Sequence, residues 1–262
     1  MRSLLSVLSI FFATHCNSDP TADSLPAGGH HVLFVGNSLT YTHDLPATVA
    51  AIAESAGDTI RFRTVAGPNL ALIDHLNGAT DVKAVIASEP WEMVILQQGP
   101  TPAGICRDSL VLWTTMFDPL IKAVGGTTAL LMPWTYRSEM SGLDEVRISF
   151  EEAASAVGGV FIPAGEAWRL AIAADPSLGL WGGDNFHPGG TGTFLTALVI
   201  YERITGHDAR DLPAKAFAAG VAFPLETATI RLLQEAAHQA NAAWPIRPRI
   251  SRTRISRVAA TC

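Results

Sequence analysis

The sequence predicts a three-layer α/β sandwich on a five-stranded parallel sheet, and three observations carry that expectation. Short apolar runs recur five times, near residues 31–35, 59–65, 91–96, 127–132 and 159–163. Stretches of helical period separate them, the order that makes parallel strands with right-handed crossovers and helices on both faces. Most polar residues with chemical capacity fall where the apolar runs stop, at the carboxyl edge of the expected sheet, where open α/β sheets bind ligands.

The first run, His31-Val32-Leu33-Phe34-Val35, has no polar alternation, as suits a strand covered on both faces. Gly36-Asn37 supplies a turn, because both residues tolerate backbone geometry that branched residues resist. A helix is expected over 45–57 from Leu45, Val49, Ile52, Ala53 and Ala56, stopped by Gly57. Residues 59–65 alternate apolar and polar and run into a second turn, Ala66-Gly67-Pro68-Asn69. Leu70, Ile73 and Leu76 then keep helical spacing, as do Val82, Val85 and Ile86 after Gly78. The third strand, 91–98, ends abruptly in Gln97-Gln98, and a Pro- and Gly-rich loop follows. A helix over 110–124 precedes the fourth strand, 127–132, which leads into Pro133-Trp134-Thr135-Tyr136. A helix over 143–157 and a short strand over 159–163 complete the sheet. Asp184-Asn185-Phe186-His187-Pro188 occupies a Gly-rich loop before a helix over 189–205, and a last helix spans 225–243.

With 262 residues, 48% of them hydrophobic, the chain can bury the core of one such domain, expected over 29–244. Residues 1–28 read as an export signal and linker: Arg2, an apolar run over 4–13 too short to span a bilayer, then Cys16 and a polar segment. The expected location is therefore periplasmic or extracellular. A cysteine directly after the run resembles a bacterial lipoprotein signal, with membrane association through a lipidated Cys16, although His15 departs from the small residue of that pattern. The tail over 245–262 holds Arg247, Arg249, Arg252, Arg254 and Arg257 and no acid, leaving 13 basic against 24 acidic residues elsewhere. A solvated tail and a dock for an acidic surface both fit that composition. The net charge of −6 argues against a general nucleic-acid binder. Cys106 and Cys262 remain as a pair that an oxidising compartment would permit to bridge, and no Cys-x-x-Cys spacing suggests zinc.

Taken singly, the polar features have bland readings. Ser38 suits a helix N-cap and His187 a helix-flanking histidine bonded to backbone. Gln97 and Gln98 suit loop carbonyls, Asn69 suits a turn, and Trp134, Tyr136 and Phe186 suit packing. Their joint placement at one sheet edge is the stronger observation. Gly36-Asn37-Ser38-Leu39-Thr40, the isolated Gly67, Gln97-Gln98 and Asp184-x-x-His187 resemble the four blocks of the SGNH (GDSL-like) hydrolases, over residues 31 to about 206. Within that superfamily the chain most resembles a bacterial branch with Gly-Asn-Ser-Leu-Thr and Leu-Gln-Gln blocks, the glutamines replacing the usual asparagine.

The resemblance implies a flavodoxin-like topology and a serine esterase that needs neither cofactor nor metal. Ser38 is then the nucleophile, His187 the base that activates it, and Asp184 the acid that orients His187. The Ser38 and Gly67 N–H groups and a carboxamide from Gln97 or Gln98, Gln97 slightly preferred, form the expected oxyanion hole. Asn69, Trp134 and Phe186 are the expected substrate contacts. The expected substrate is a small-molecule or glycan ester, short in its acyl group, as for a carbohydrate deacetylase. Three rivals compete: a metal site from His43, Asp44, His75, Asp184 and His187; an anion-binding module at the Gly-Asn-Ser turn; and a non-catalytic carbohydrate-binding relative. No His-Glu-x-x-His or Walker pattern supports the first two, and Gly-x-Ser-x-Gly is absent.

Overall fold

A computed structural model describes residues 25–246. The expected export signal up to residue 24, Cys16 with its lipidation, the tail arginines and Cys262 lie outside the described residues, and Cys106 is exposed and free. Five parallel strands lie in the order β2-β1-β3-β4-β5, namely β1 (His30–Gly36), β2 (Ile60–Ala66), β3 (Met93–Gln97), β4 (Thr127–Leu131) and β5 (Val160–Ile162). Because β1 is flanked by β2 on one side and β3 on the other, successive crossovers leave it in opposite directions. The strand ends splay apart at that point, which places a crevice beyond the carboxyl ends of β1 and β3.

The apolar runs are continuous because each face of the sheet has its own core. In β1, Val32 and Phe34 point into one core and Leu33 and Val35 into the other, all four 0–1% exposed. The first core is closed by α2 (Leu45–Ser55), α7 (Ala164–Ala174), α8 (Gly190–Thr205) and α9 (Thr227–Ala243). The second is closed by α3 (Leu72–Asp74), α4 (Val82–Ala87), α5 (Ile105–Ala123) and α6 (Leu143–Val157). Removal of so many aliphatic side chains from water is the main favourable term for the fold.

The fold departs from the sequence reading in four places. The helical pattern from Leu70 to Ile86 is broken into α3, a π-turn over His75–Ala79 and α4, because Gly78 adopts φ +96°. α5 begins at Ile105 rather than Leu110, extending through residues that are mostly exposed and so lack an apolar stripe. α7 was not expected: it starts directly after Pro163 and presents alanines, with Ala164, Ala167, Trp168 and Ala171 buried at helical spacing. The hairpin of β6 (Ala216–Ala218) and β7 (Val221–Phe223) was also missed. Its two-residue turn, Ala219-Gly220, has φ +49° and +73°, the mirror-image turn that asparagine or glycine normally announces. The Ala219 N–H donates to the His43 carbonyl at 2.8 Å, fixing alanine in that geometry.

Candidate active site

The corner after β1 is built around Asn37. Its backbone is extended (φ −129°, ψ −152°) and it caps the four-residue helix α1 (Ser38–Tyr41), its Oδ1 accepting the Leu39 N–H at 3.1 Å. Its Nδ2 donates to the Leu70 carbonyl at 3.2 Å, tying the corner to the segment after β2. Ser38 is thereby the first residue of a helix, where backbone N–H groups have no intrahelical acceptor. Among the described residues the Ser38 N–H has no partner, and its side chain is half-buried.

His187 is carried on the loop between α7 and α8. Asn185 turns the chain at φ +58°, and Asp184 Oδ1 accepts the N–H groups of both Phe186 and His187, at 3.0 and 2.9 Å. This closed turn brings Asp184 Oδ2 to 2.5 Å from His187 Nδ1. The carboxylate can only accept, so Nδ1 carries the proton and Nε2 is left as acceptor. Nε2 lies 2.8 Å from Ser38 Oγ and takes its hydroxyl proton in a hydrogen bond. The three side chains thus form one chain of donors pointing from serine to carboxylate. The bond from His187, followed by the Phe186 N–H, holds the Asp184 carboxyl down to about 2, well below the usual carboxylate range.

Backbone and indole bonds fasten the same loop. Trp181 pairs with Pro188, the Gly182 N–H donates to the His187 carbonyl and the Gly189 N–H to the Leu180 carbonyl, both at 2.8 Å. The Trp134 indole N–H donates to the Phe186 carbonyl at 2.9 Å and the Trp181 indole to the Thr135 carbonyl at 3.0 Å. Beneath the loop, Trp134 stacks on Trp168 with centroids 3.8 Å apart. Gly192, in the first turn of α8, must remain a glycine: a Cβ there would lie 2.2 Å from the Leu180 carbonyl oxygen and 2.5 Å from the Trp168 ring.

Ser38 opens into a cleft of about 600 Å³ walled by Asn69, Gln98, Pro100, Ile105, Trp113 and Phe186 among others. A second cavity of about 550 Å³, beside Tyr201 and His207, does not include the Ser38–His187 pair. Three sequence-predicted residues do not take the places expected of them. Trp134 is 2% exposed and supports the loop from below, so it is not a wall of the cleft. The Gly67 N–H donates to the Gly36 carbonyl at 3.3 Å, and a Cβ there would stand 2.7 Å from Leu70 Cδ1, so that side chain would have to move aside. Gln97 is 1% exposed, with Oε1 accepting from the Asn37 N–H (3.0 Å) and the Thr40 hydroxyl (2.8 Å). It lies under the corner, and Gln98 is the glutamine that reaches the cleft, its Oε1 accepting the Leu72 N–H at 3.0 Å. Asn69 and Phe186 do line the cleft. Phe186 is stacked on Tyr136 at 4.3 Å and set edge-on to His187 at 5.2 Å.

The residues of the metal rival are not gathered. Asp44 caps α2, with its side chain bonded to the Ala47 N–H. His75 is 1% exposed with both ring nitrogens engaged. Among the described residues one other group converges, Glu202, Asp208 and His238, whose ligand-type atoms lie within 4.8 Å of one another. Asp208 is already paired with Arg210, and His238 Nδ1 lies 3.1 Å from Glu202 Oε1 and 3.2 Å from Asp208 Oδ1. Its members come from α8, α9 and the intervening loop, with no sequence spacing that would have revealed it.

No protein-family model and no curated protein matches the chain. Solved structures do match it in fold. A DUF4886 family protein from Bacteroides uniformis superposes with a TM-score of 0.71 at 17% identity, over 83% of this chain and 96% of that one. A catalytic mutant of an acetylxylan esterase from Geobacillus stearothermophilus gives 0.54 at 14% identity, over 69% and 96%. A lipase/acylhydrolase from Enterococcus faecalis gives 0.53 at 14%, over 70% and 97%. With its five parallel strands between two helical layers, the chain has the fold of the SGNH hydrolases.

Proposed function

We propose that the protein is a serine hydrolase that cleaves carboxylic esters through an acyl-enzyme on Ser38. The observation that carries this reading is the continuous relay from Ser38 Oγ to His187 Nε2 (2.8 Å) and from His187 Nδ1 to Asp184 (2.5 Å). A serine hydroxyl becomes nucleophilic only as a base takes its proton, and Nε2 is placed to do so. As the Oγ–C bond forms, the carbonyl oxygen becomes an oxyanion and the imidazolium that develops is held by Asp184. Collapse breaks the bond to the leaving alkoxide, which takes the proton from Nε2. Water, deprotonated at the same nitrogen, then attacks the acyl-enzyme, releasing the acid and restoring Ser38.

For the oxyanion, the unpartnered Ser38 N–H is the backbone donor, joined by a carboxamide from the cleft wall, Gln98 or Asn69. Aligned donors of this kind lower acyl-transfer barriers by about 3 kcal/mol each. The substrate class proposed is a short-acyl ester, such as an acetylated glycan, and an acetylxylan esterase shares the fold. The test is to incubate the wild-type protein with p-nitrophenyl acetate, butyrate and longer esters, and separately with a fluorinated organophosphonate. Turnover falling with acyl length is expected, together with one covalent adduct mapped by mass spectrometry to the peptide carrying Ser38. A folded protein that neither turns over an ester nor takes the label is a binding protein and not a hydrolase. Activity abolished by a chelator would move the reading to a metal enzyme.

A further inference from the structure

The peptide that leads into Ser38 is gripped at both ends by buried side chains that never reach the cleft. Its carbonyl, on Gly36, accepts the His75 Nε2–H at 3.0 Å. Its N–H, on Asn37, donates to Gln97 Oε1 at 3.0 Å. His75 and Gln97 are each 1% exposed and neither is among the residues walling the cleft. We propose that His75 and Gln97 form a clamp on the Gly36-Asn37 peptide and act as positioning residues for Ser38. The proposal rests on the ester-hydrolase reading and adds to it two residues that touch no substrate.

The geometry leaves little choice of orientation. A backbone N–H only donates, so Gln97 must turn its oxygen, not its nitrogen, toward Asn37; the same oxygen accepts the Thr40 hydroxyl at 2.8 Å. A carbonyl only accepts, so His75 carries a proton on Nε2, and Nδ1 is free to accept the Thr80 hydroxyl at 2.9 Å. Burial opposes the imidazolium form, in keeping with that neutral tautomer. The fit is close: a Cβ on Gly36 would stand 2.4 Å from Thr40 Oγ1 and 2.5 Å from Gln97 Oε1, so only glycine lets the clamp close.

His75 arrives from outside the local sequence. It opens the π-turn His75–Ala79, a widened turn of the kind that re-aims side chains at functional sites, and from there it reaches the end of β1. Gln97 ends β3, next to β1 in the sheet. With the longer bond from the Gly67 N–H to the same Gly36 carbonyl (3.3 Å), the two side-chain bonds fix the plane of this peptide, and through Asn37 that plane sets where the Ser38 N–H and Oγ lie relative to His187. Buried hydrogen bonds in the ordinary range would suffice for stability at many positions; here both converge on the Gly36-Asn37 peptide, one residue before the nucleophile.

The test compares His75→Leu, His75→Gln and Thr80→Val with wild type on p-nitrophenyl acetate, reading kcat, KM, the rate of organophosphonate labelling and the melting temperature. His75→Leu is expected to lose about 10²-fold in kcat and in labelling rate while KM stays within about twofold, because the substrate still binds but the nucleophile is misplaced. His75→Gln, whose amide N–H can reach the same carbonyl, is expected to recover most of that loss. A folded His75→Leu with wild-type kcat overturns the clamp, as does a His75→Gln variant no better than it. Should His75→Leu not fold, Thr80→Val decides: a kcat lower by about fivefold at constant KM supports the clamp, and an unchanged kcat overturns it. A wild type inert toward every ester overturns the hydrolase reading instead, and does so before any variant is compared.

Discussion

Replacing Ser38 by alanine is expected to lower kcat on a p-nitrophenyl ester by about 10⁶-fold, and His187→Ala by a similar factor. On the proposed mechanism the two residues act as one device: among the described residues the one side-chain partner of Ser38 Oγ is His187 Nε2. Their effects therefore do not multiply, and the double variant is expected to be no slower than either single one. Residual turnover above the uncatalysed rate would come from the Ser38 N–H and the cleft. The check is kcat for the three variants measured at enzyme concentrations high enough to see that residue. If the double variant loses the product of the single losses, Ser38 and His187 serve separate steps and the relay is wrong.

Asp184→Asn is expected to cost about 10⁴-fold in kcat with little change in melting temperature. Asp184 Oδ1 is held by two backbone N–H groups, from Phe186 and His187. An asparagine must keep its carbonyl oxygen there, which turns its NH₂ toward the imidazole. His187 Nδ1 would then have to accept, the proton would move to Nε2, and the nitrogen facing Ser38 could no longer take a proton. The native carboxylate does not suffer this, since a carboxyl held at about 2 stays ionised wherever an imidazole can serve as a base. Comparing kcat and thermal unfolding of Asp184→Asn with wild type checks both halves: a large loss of stability with little loss of kcat would make Asp184 a structural loop residue.

The sheet was legible because its physics is local. A strand buried on both faces needs consecutive aliphatic residues, and Val32, Leu33, Phe34 and Val35 announce that without reference to anything distant. Ser38, Asp184 and His187 could be picked out for a similar reason. A turn after an apolar run and an acid three residues before a histidine are short-range patterns, and only their convergence had to be inferred. What escaped the sequence is what depends on partners far along the chain. Gln97 and Gln98 are adjacent and chemically identical, and sheet alternation puts one under the corner and the other in the cleft. Gly67 looked free to donate because nothing local shows that Gly36 lies across from it. Trp134 follows a strand end, as a cleft residue would, but its ring faces Trp168, thirty-odd residues later in sequence. His75 carried no motif at all; its placement at the end of β1 follows from the widened turn His75–Ala79, in which Gly78 breaks the helical spacing.

The loop that carries His187 is laced to the body of the protein at Trp134, Thr135 and Arg137, and packs over the stacked indoles. In the language of cooperative units, the base is not on a foldon of its own. Opening that loop would break bonds to the β4 exit and uncover the indoles of the first core, so it cannot melt as a separate, earlier event. Heating should then give a single transition, with hydrolysis and tryptophan signal vanishing together and no folded but inactive species between them.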